Sequence, residues 1–92
     1  MSVSKKYLFH FSKEFAADIK RWDFDHNHEK GKKKIKALME NMVIDPFKGL
    51  GKPEPLKHTK GVWSRRILGK HRLTYIVEND VIHLLTCWEH YK

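Results

Sequence analysis

The sequence predicts an α+β domain with one N-terminal strand, two helices and then an antiparallel meander of three to four strands. Two observations support this class. Helical apolar spacing is confined to the first half of the chain, and strand-prone runs with short turns fill the last third. Because no helical pattern separates the last three runs, a parallel sheet with crossover helices is not expected. At 92 residues the chain is predicted to form one domain, residues 1–92.

The N-terminal half predicts a strand and two amphipathic helices. Residues 6–11 are aromatic-rich and favour a strand, and Ser12 is suited to cap the helix that follows. Apolar residues then recur at helical spacing in two stretches. They are Phe15, Ile19 and Trp22 in the first helix, and Ile35, Leu38, Met39, Met42 and Val43 in the second. Lysines occupy the other face of the second helix, and Pro46 follows its predicted end.

The C-terminal half predicts a loop and then hairpins. Residues 47–59 contain two glycines and two prolines, which exclude a helix and favour turns or extended backbone. Three strand-prone runs follow, at residues 63–68, 72–77 and 81–91. The pieces between them are short and turn-like, so successive antiparallel hairpins are the expected connection.

Positive charge is concentrated in one part of the chain. The formal net charge is +8, and residues 48–72 hold eight Lys or Arg against one acid, a net of +7. Such a surface indicates a polyanionic partner: nucleic acid, an acidic protein or an anionic membrane surface. A solvated face with no partner is the alternative.

Other classes of protein are not expected. No apolar run approaches the roughly 18 residues of a membrane span, and the N-terminus has no signal-peptide core. The single cysteine, Cys87, excludes an internal disulfide and fits a reducing cytoplasm. Because it lies in an apolar run, we expect its side chain to be buried. His26 and His28 have no suitable third ligand nearby, so neither a metal site nor a cofactor is predicted.

Glu54 is the only acid of the basic segment and lies between two prolines that restrict its backbone. It is either a general base or an ion-pair partner of Lys52 or Lys57. Strand alternation also allows Arg66, Arg72 and His90 to share one face of the sheet.

Together these groups match what RNA cleavage without a metal requires. A base removes the proton of the 2′-OH, cations stabilise the charge on the phosphate, and an acid protonates the leaving 5′-oxygen. The base would be Glu54, the cations would be Arg66 and Arg72, and the acid would be His90. Arginine suits the second role because its planar fork matches phosphate oxygens.

Four stretches resemble the YoeB/Txe branch of the RelE toxin superfamily. They are P-F-K-G-L-G-K-P-E-P-L-K-H at residues 46–58, W-S-R-R-I at 63–67, H-R-L-T-Y at 71–75 and H-Y at 90–91. The resemblance implies two helices against a small antiparallel sheet. It also implies a toxin of a toxin–antitoxin module that enters the ribosome and cuts mRNA in the A site without a metal ion.

The resemblance also implies roles for residues and partners. Glu54 matches the general base, His90 the general acid, and Arg66 and Arg72 the arginines that stabilise the phosphate, although Tyr91 remains an alternative proton donor. Lys57 and Tyr91 match residues that shape the site. The expected RNA-binding residues are Lys48, Lys52, His58 and Arg65 of the basic segment and Lys32, Lys33, Lys34 and Lys36 of the second helix.

The partners implied are mRNA, the ribosome, a YefM-like antitoxin and a second copy of the chain, with operator DNA bound only through the antitoxin complex. The alternatives are a non-catalytic RNA-binding module and an antitoxin-dependent co-repressor.

Overall fold

Five strands form one sheet with two helices packed on one of its faces, in a computed structural model that describes residues 6–89. The elements are β1 (Leu8–Phe11), α1 (Lys13–Asp23), α2 (His28–Met42), β2 (Glu54–Pro55), β3 (Trp63–Arg66), β4 (Arg72–Glu78) and β5 (Val81–Thr86). The predicted α+β class and the order of the elements are confirmed.

The sheet has the order β1-β5-β4-β3-β2 and is mixed. Strands β2 to β5 pair antiparallel, as the meander requires. Strand β1 pairs parallel with β5 at the edge of the sheet, where the resemblance implied a wholly antiparallel sheet. This arrangement is possible because the two helices carry the chain away from β1, and the meander then returns to it last.

Local signals place α1 where the sequence predicts it. The Ser12 side chain accepts a hydrogen bond of 2.9 Å from the backbone N–H of Phe15, which satisfies one free donor of the first turn. Phe15 and Trp22 are 2% and 1% exposed, so the apolar stripe of α1 is the face that enters the core.

Helix α2 contains a glycine in its first half because α1 crosses close to it. A Cβ atom on Gly31 would lie 2.2 Å from Cζ3 of Trp22, well inside van der Waals contact. The glycine lowers helix propensity, but it lets the indole pack directly on the α2 backbone.

The hydrophobic core lies between the helices and one face of the sheet. Its buried members are Phe15, Trp22, Ile35, Leu38, Met42, Ile67, Leu73, Tyr75, Ile82, Leu84 and Cys87. The thiol of Cys87 is fully buried, as predicted, and burial followed by the Asp18 charge raises its pKa to about 12. Among residues 6–89, neither helix is long and apolar enough to cross a bilayer.

A β-bulge changes which side chains of β5 face the core. Tyr75 pairs with Leu84 but Thr74 pairs with Thr86, so Leu85 is an extra residue in β5. Strict alternation would put Thr86 on the core face with Leu84. The bulge turns Thr86 to the opposite face, and the regular strand ends there rather than at residue 91 as predicted.

Candidate active site

A row of polar residues crosses the sheet on the face away from the helices. Glu54 pairs with Ser64, Ser64 with Thr74, and Thr74 with Thr86. Residues directly opposite each other point to the same face, so the four side chains form a line from β2 to β5. The hydroxyls of Thr74 and Thr86 are hydrogen-bonded to each other.

Glu54 and Arg72 form the centre of this face. Nη1 of Arg72 donates to Oε2 of Glu54 at 3.2 Å and to Oγ of Ser64 at 3.2 Å. The Arg72 side chain is 19% exposed and Glu54 is 55% exposed, so the carboxylate stays open to an incoming ligand. Glu54 therefore forms an ion pair, as one of the two predictions had it, but its partner is Arg72 rather than Lys52 or Lys57.

Arg66 lies directly opposite Arg72 in the β3–β4 register. The predicted placement of both arginines on one face is thereby confirmed, and Arg66 is exposed there. Two like charges directly opposite each other on neighbouring strands repel. The third member of the predicted group, His90, and the neighbouring Tyr91 lie outside the described residues.

The loop and turn on either side of β2 present further cations to solvent. Lys48, Lys52, Lys57 and His58 are all exposed. Lys52 has a positive φ of 52°, which is uncommon for a residue with a side chain. The backbone N–H of Arg66 donates to the carbonyl of Gly51 at 2.7 Å and so ties the loop to the end of β3.

Arg65 is not available to RNA, and its predicted RNA-binding role is wrong. The residue is fully buried on the core side of the sheet. Its guanidinium donates to the side chains of Asn41 and Tyr75 and to the carbonyls of Asp45, Lys48 and Leu50, at 2.7 to 3.1 Å. Strand alternation separates it from Arg66, because successive side chains point to opposite faces. It fixes the loop instead.

The lysines of α2 lie on the other side of the sheet from Glu54. Helix α2 covers the core face, so its exposed Lys33 and Lys36 are separated from the Glu54–Arg72 pair by the sheet. Lys32 forms an ion pair with Asp23 at the end of α1. The α2 lysines therefore do not belong to the face that carries Glu54 and Arg72.

A cleft of about 830 Å³ continues the polar row beyond Thr74. Its wall includes Thr74 and Thr86 from the sheet, Leu56 and Thr59 from the turn after β2, Arg21 from α1, and Trp88. This volume lies within the usual range of small-molecule pockets and is large enough for a nucleotide. Within residues 6–89 no group of three or more His, Cys, Asp or Glu side chains is placed to hold a metal ion.

Two residues that organise this region were missed from the sequence. Asp18 is 5% exposed, and its Oδ2 accepts a hydrogen bond of 3.0 Å from the backbone N–H of Cys87. The signal was present, because Asp18 interrupts the apolar face of α1 between Phe15 and Trp22. His71 contacts the segment after β5, which no local pattern could show.

Residues 11–91 match the family model of the YoeB-like toxin of bacterial type II toxin–antitoxin systems. The chain belongs to this family.

Similar proteins agree with this family assignment. The Toxin YoeB of Escherichia coli K12 is 50% identical over 60 residues, which cover 64% of this chain and 71% of that protein. A YoeB dimer from Staphylococcus aureus is similar in structure, with a TM-score of 0.81 and 34% identity over 94% of this chain and 99% of its own. A YoeB–YefM complex from the same species gives a TM-score of 0.78 at the same identity and coverage. The resemblance found in the sequence is confirmed at the level of the family.

Proposed function

We propose that this YoeB-like toxin is a ribosome-dependent endoribonuclease that cuts mRNA in the ribosomal A site and so inhibits translation. The observation that supports this most directly is the contact between the exposed Glu54 carboxylate and Arg72, with Arg66 opposite in the register. A base and two cations on one open face are the groups that 2′-OH attack on a phosphate needs.

The arrangement of the arginines favours an anionic ligand. Arg66 and Arg72 repel each other across the strand pair, and only Arg72 contacts Glu54 among the described ion pairs. A phosphate between the two guanidinium groups relieves that repulsion and accepts hydrogen bonds from both planar forks. Arg66 and Arg72 would therefore interact more strongly with the negative charge that develops on the phosphate than with the uncharged parts of the RNA.

The proposed reaction is general acid–base catalysis that requires no metal ion. Glu54 takes the proton of the 2′-OH, the 2′-oxygen attacks phosphorus, and the bond from phosphorus to the 5′-oxygen breaks. His90, or alternatively Tyr91, gives a proton to the leaving 5′-oxygen. The products are a 2′,3′-cyclic phosphate and a 5′-hydroxyl. Lys57 and Tyr91 would shape the site.

The remaining cations would bind RNA on two sides of the protein. Lys48 and Lys52 on the loop before β2 and His58 on the turn after it are exposed and would contact the mRNA. Lys32, Lys33, Lys34 and Lys36 of α2 would meet ribosomal RNA phosphates on the opposite side.

Protein partners follow from the relatives. The Staphylococcus aureus relatives form a YoeB dimer and a YoeB–YefM complex. We therefore propose a YefM-like antitoxin as the inhibitor of this chain and a homodimer as its free form. Operator DNA would be contacted only through the antitoxin complex.

The test is to map new mRNA 5′ ends with and without ribosomes. Glu54→Gln keeps the shape of the side chain and removes the base, and Glu40→Gln on exposed α2 is the matched control. We expect Glu54→Gln and Arg72→Ala each to lower cleavage by about 10²- to 10⁴-fold. Both should bind ribosomes as the wild type does, while Glu40→Gln should cleave normally.

Loss of the Glu54–Arg72 pair in Glu54→Gln has little effect on folding, because the Glu54 carboxylate is 55% exposed and such a pair contributes about 1 kcal/mol or less. Equal cleavage by wild type and Glu54→Gln would contradict the proposal. Ribosome binding without cleavage by the wild type would support a non-catalytic RNA-binding module or a co-repressor instead.

A further inference from the structure

The segment after β5 is held in place by contacts from α1. Nε1 of Trp22 donates to the carbonyl of Cys87 at 2.8 Å. Oδ2 of Asp18 accepts the backbone N–H of the same residue at 3.0 Å. Both polar groups of the Cys87 backbone are therefore bonded to buried side chains of one helix.

His71 holds the next two residues of this segment. Its ring centroid lies 4.2 Å from that of Trp88 and 4.7 Å from that of Trp22. Its Nδ1 accepts the backbone N–H of Glu89 at 3.0 Å, so the ring proton is on Nε2. Lys70 forms an ion pair of 3.3 Å with the Glu89 side chain.

The backbone at Glu89 needs such support. Its φ is +59°, a left-handed conformation that costs a residue with a Cβ atom roughly 1–2 kcal/mol. The hydrogen bond from its N–H to Nδ1 of His71 supports the backbone at this residue.

We propose that His71 is a positioning residue that fixes the backbone at Glu89, the residue before His90, through this hydrogen bond. His71 immediately precedes Arg72, and Glu89 immediately precedes His90, so this one contact joins the strand of the phosphate-binding arginine to the segment of the general acid. The catalytic meaning of the contact rests on the proposed function, but its existence does not.

The same contact responds to pH. Protonation of Nδ1 removes the acceptor, so the Glu89 bond exists only with neutral His71. Burial lowers the pKa of His71 below its ordinary value of 6.5. The negative charges of Asp25 and Glu89 raise this pKa, and the positive charge of Lys70 lowers it further. The ring therefore stays neutral to a lower pH than that of an ordinary histidine. The contact is lost only as the pH falls through the lowered pKa.

The first experiment measures amide hydrogen exchange at Glu89. His71→Phe keeps a ring without the acceptor, His71→Asn keeps an acceptor at the Nδ1 position, and His26→Asn is a control at an exposed histidine. We expect exchange to be at least about tenfold faster in His71→Phe and within about threefold of wild type in His71→Asn. Acid should release Glu89 in the wild type but not in His71→Asn. Equal exchange in wild type and His71→Phe would overturn the proposal.

The second experiment measures ribosome-dependent cleavage by the same variants. We expect His71→Phe to lower kcat about tenfold or more with little change in KM, and His71→Asn to recover most of this loss. Wild-type cleavage by His71→Phe, with Glu89 released, would overturn the positioning role. Absence of cleavage by the wild type would refute the proposed function alone, because the exchange result decides the contact independently.

Discussion

Arg65 is a fully buried cation whose described partners are all neutral oxygen atoms. Five hydrogen bonds, two to side chains and three to carbonyls of the 45–50 loop, use its guanidinium. Burying a charge is costly unless it is fully hydrogen-bonded, and only the arginine fork supplies donors in so many directions. Its contact with Asn41 also places a positive charge near the C-terminal end of α2, where the helix dipole favours one.

We expect Arg65→Lys to destabilise the protein although it conserves the charge. An ammonium group has three donors and cannot reach five oxygen atoms, so we predict a loss of about 2–4 kcal/mol in the free energy of unfolding. Chemical denaturation measures it. The control is Arg66→Lys on the exposed side of the same strand, which should change stability by about 0.5 kcal/mol or less. Similar losses for the two variants would contradict the structural role.

At the scale of elements, the approach of α1 to α2 depends on Gly31. Alanine normally stabilises a helix interior by about 1 kcal/mol relative to glycine. Here the added Cβ would meet the Trp22 ring at 2.2 Å.

We therefore predict the opposite sign, a loss of about 1–3 kcal/mol for Gly31→Ala, since overpacking outweighs propensity. Thermal and urea unfolding test this, with exposed Lys30→Ala in the same helix as the control. An increase in stability for Gly31→Ala would show that the helices separate at no cost.

Elements with a local signal could be predicted from the sequence, and the contacts between distant elements could not. Residue type predicts the Ser12 cap. The spacing of apolar residues predicts the buried stripes of both helices and the order of the strands along the chain. The parallel pairing of β1 with β5 joins residues more than 70 positions apart. The Leu85 bulge, which turns Thr86 to the site face, has no signal in an apolar run.

The candidate site shows the same limit. Glu54 could be singled out because it is the one acid in a basic segment, and strand alternation predicts the shared face of Arg66 and Arg72. Arg65 was misplaced because net charge says nothing about burial, and His71 was missed because its partner, Glu89, is 18 residues away.

At the scale of the whole molecule, the sheet separates the Glu54–Arg72 pair from the exposed lysines of α2. Arg66 and Arg72 lie on the face of Glu54, and Lys33 and Lys36 lie on the exposed side of α2. If both groups bound the same short RNA, it would have to pass around the edge of the sheet. Cations on opposite sides instead fit the proposed position of the protein between mRNA and ribosomal RNA.

The lysines of the loop before β2 and those of α2 should therefore have separate effects in binding experiments. The double variants Lys48→Gln/Lys52→Gln and Lys33→Gln/Lys36→Gln each remove two exposed charges and are matched controls for each other. For a short single-stranded RNA, the first should reduce the slope of log K against log salt by about 1.4, since each phosphate contact contributes about 0.7. The second should leave that slope unchanged and weaken binding to ribosomes. Fluorescence anisotropy and ribosome pelleting at several salt concentrations measure both, and equal effects on the free RNA would show that the charges form one surface.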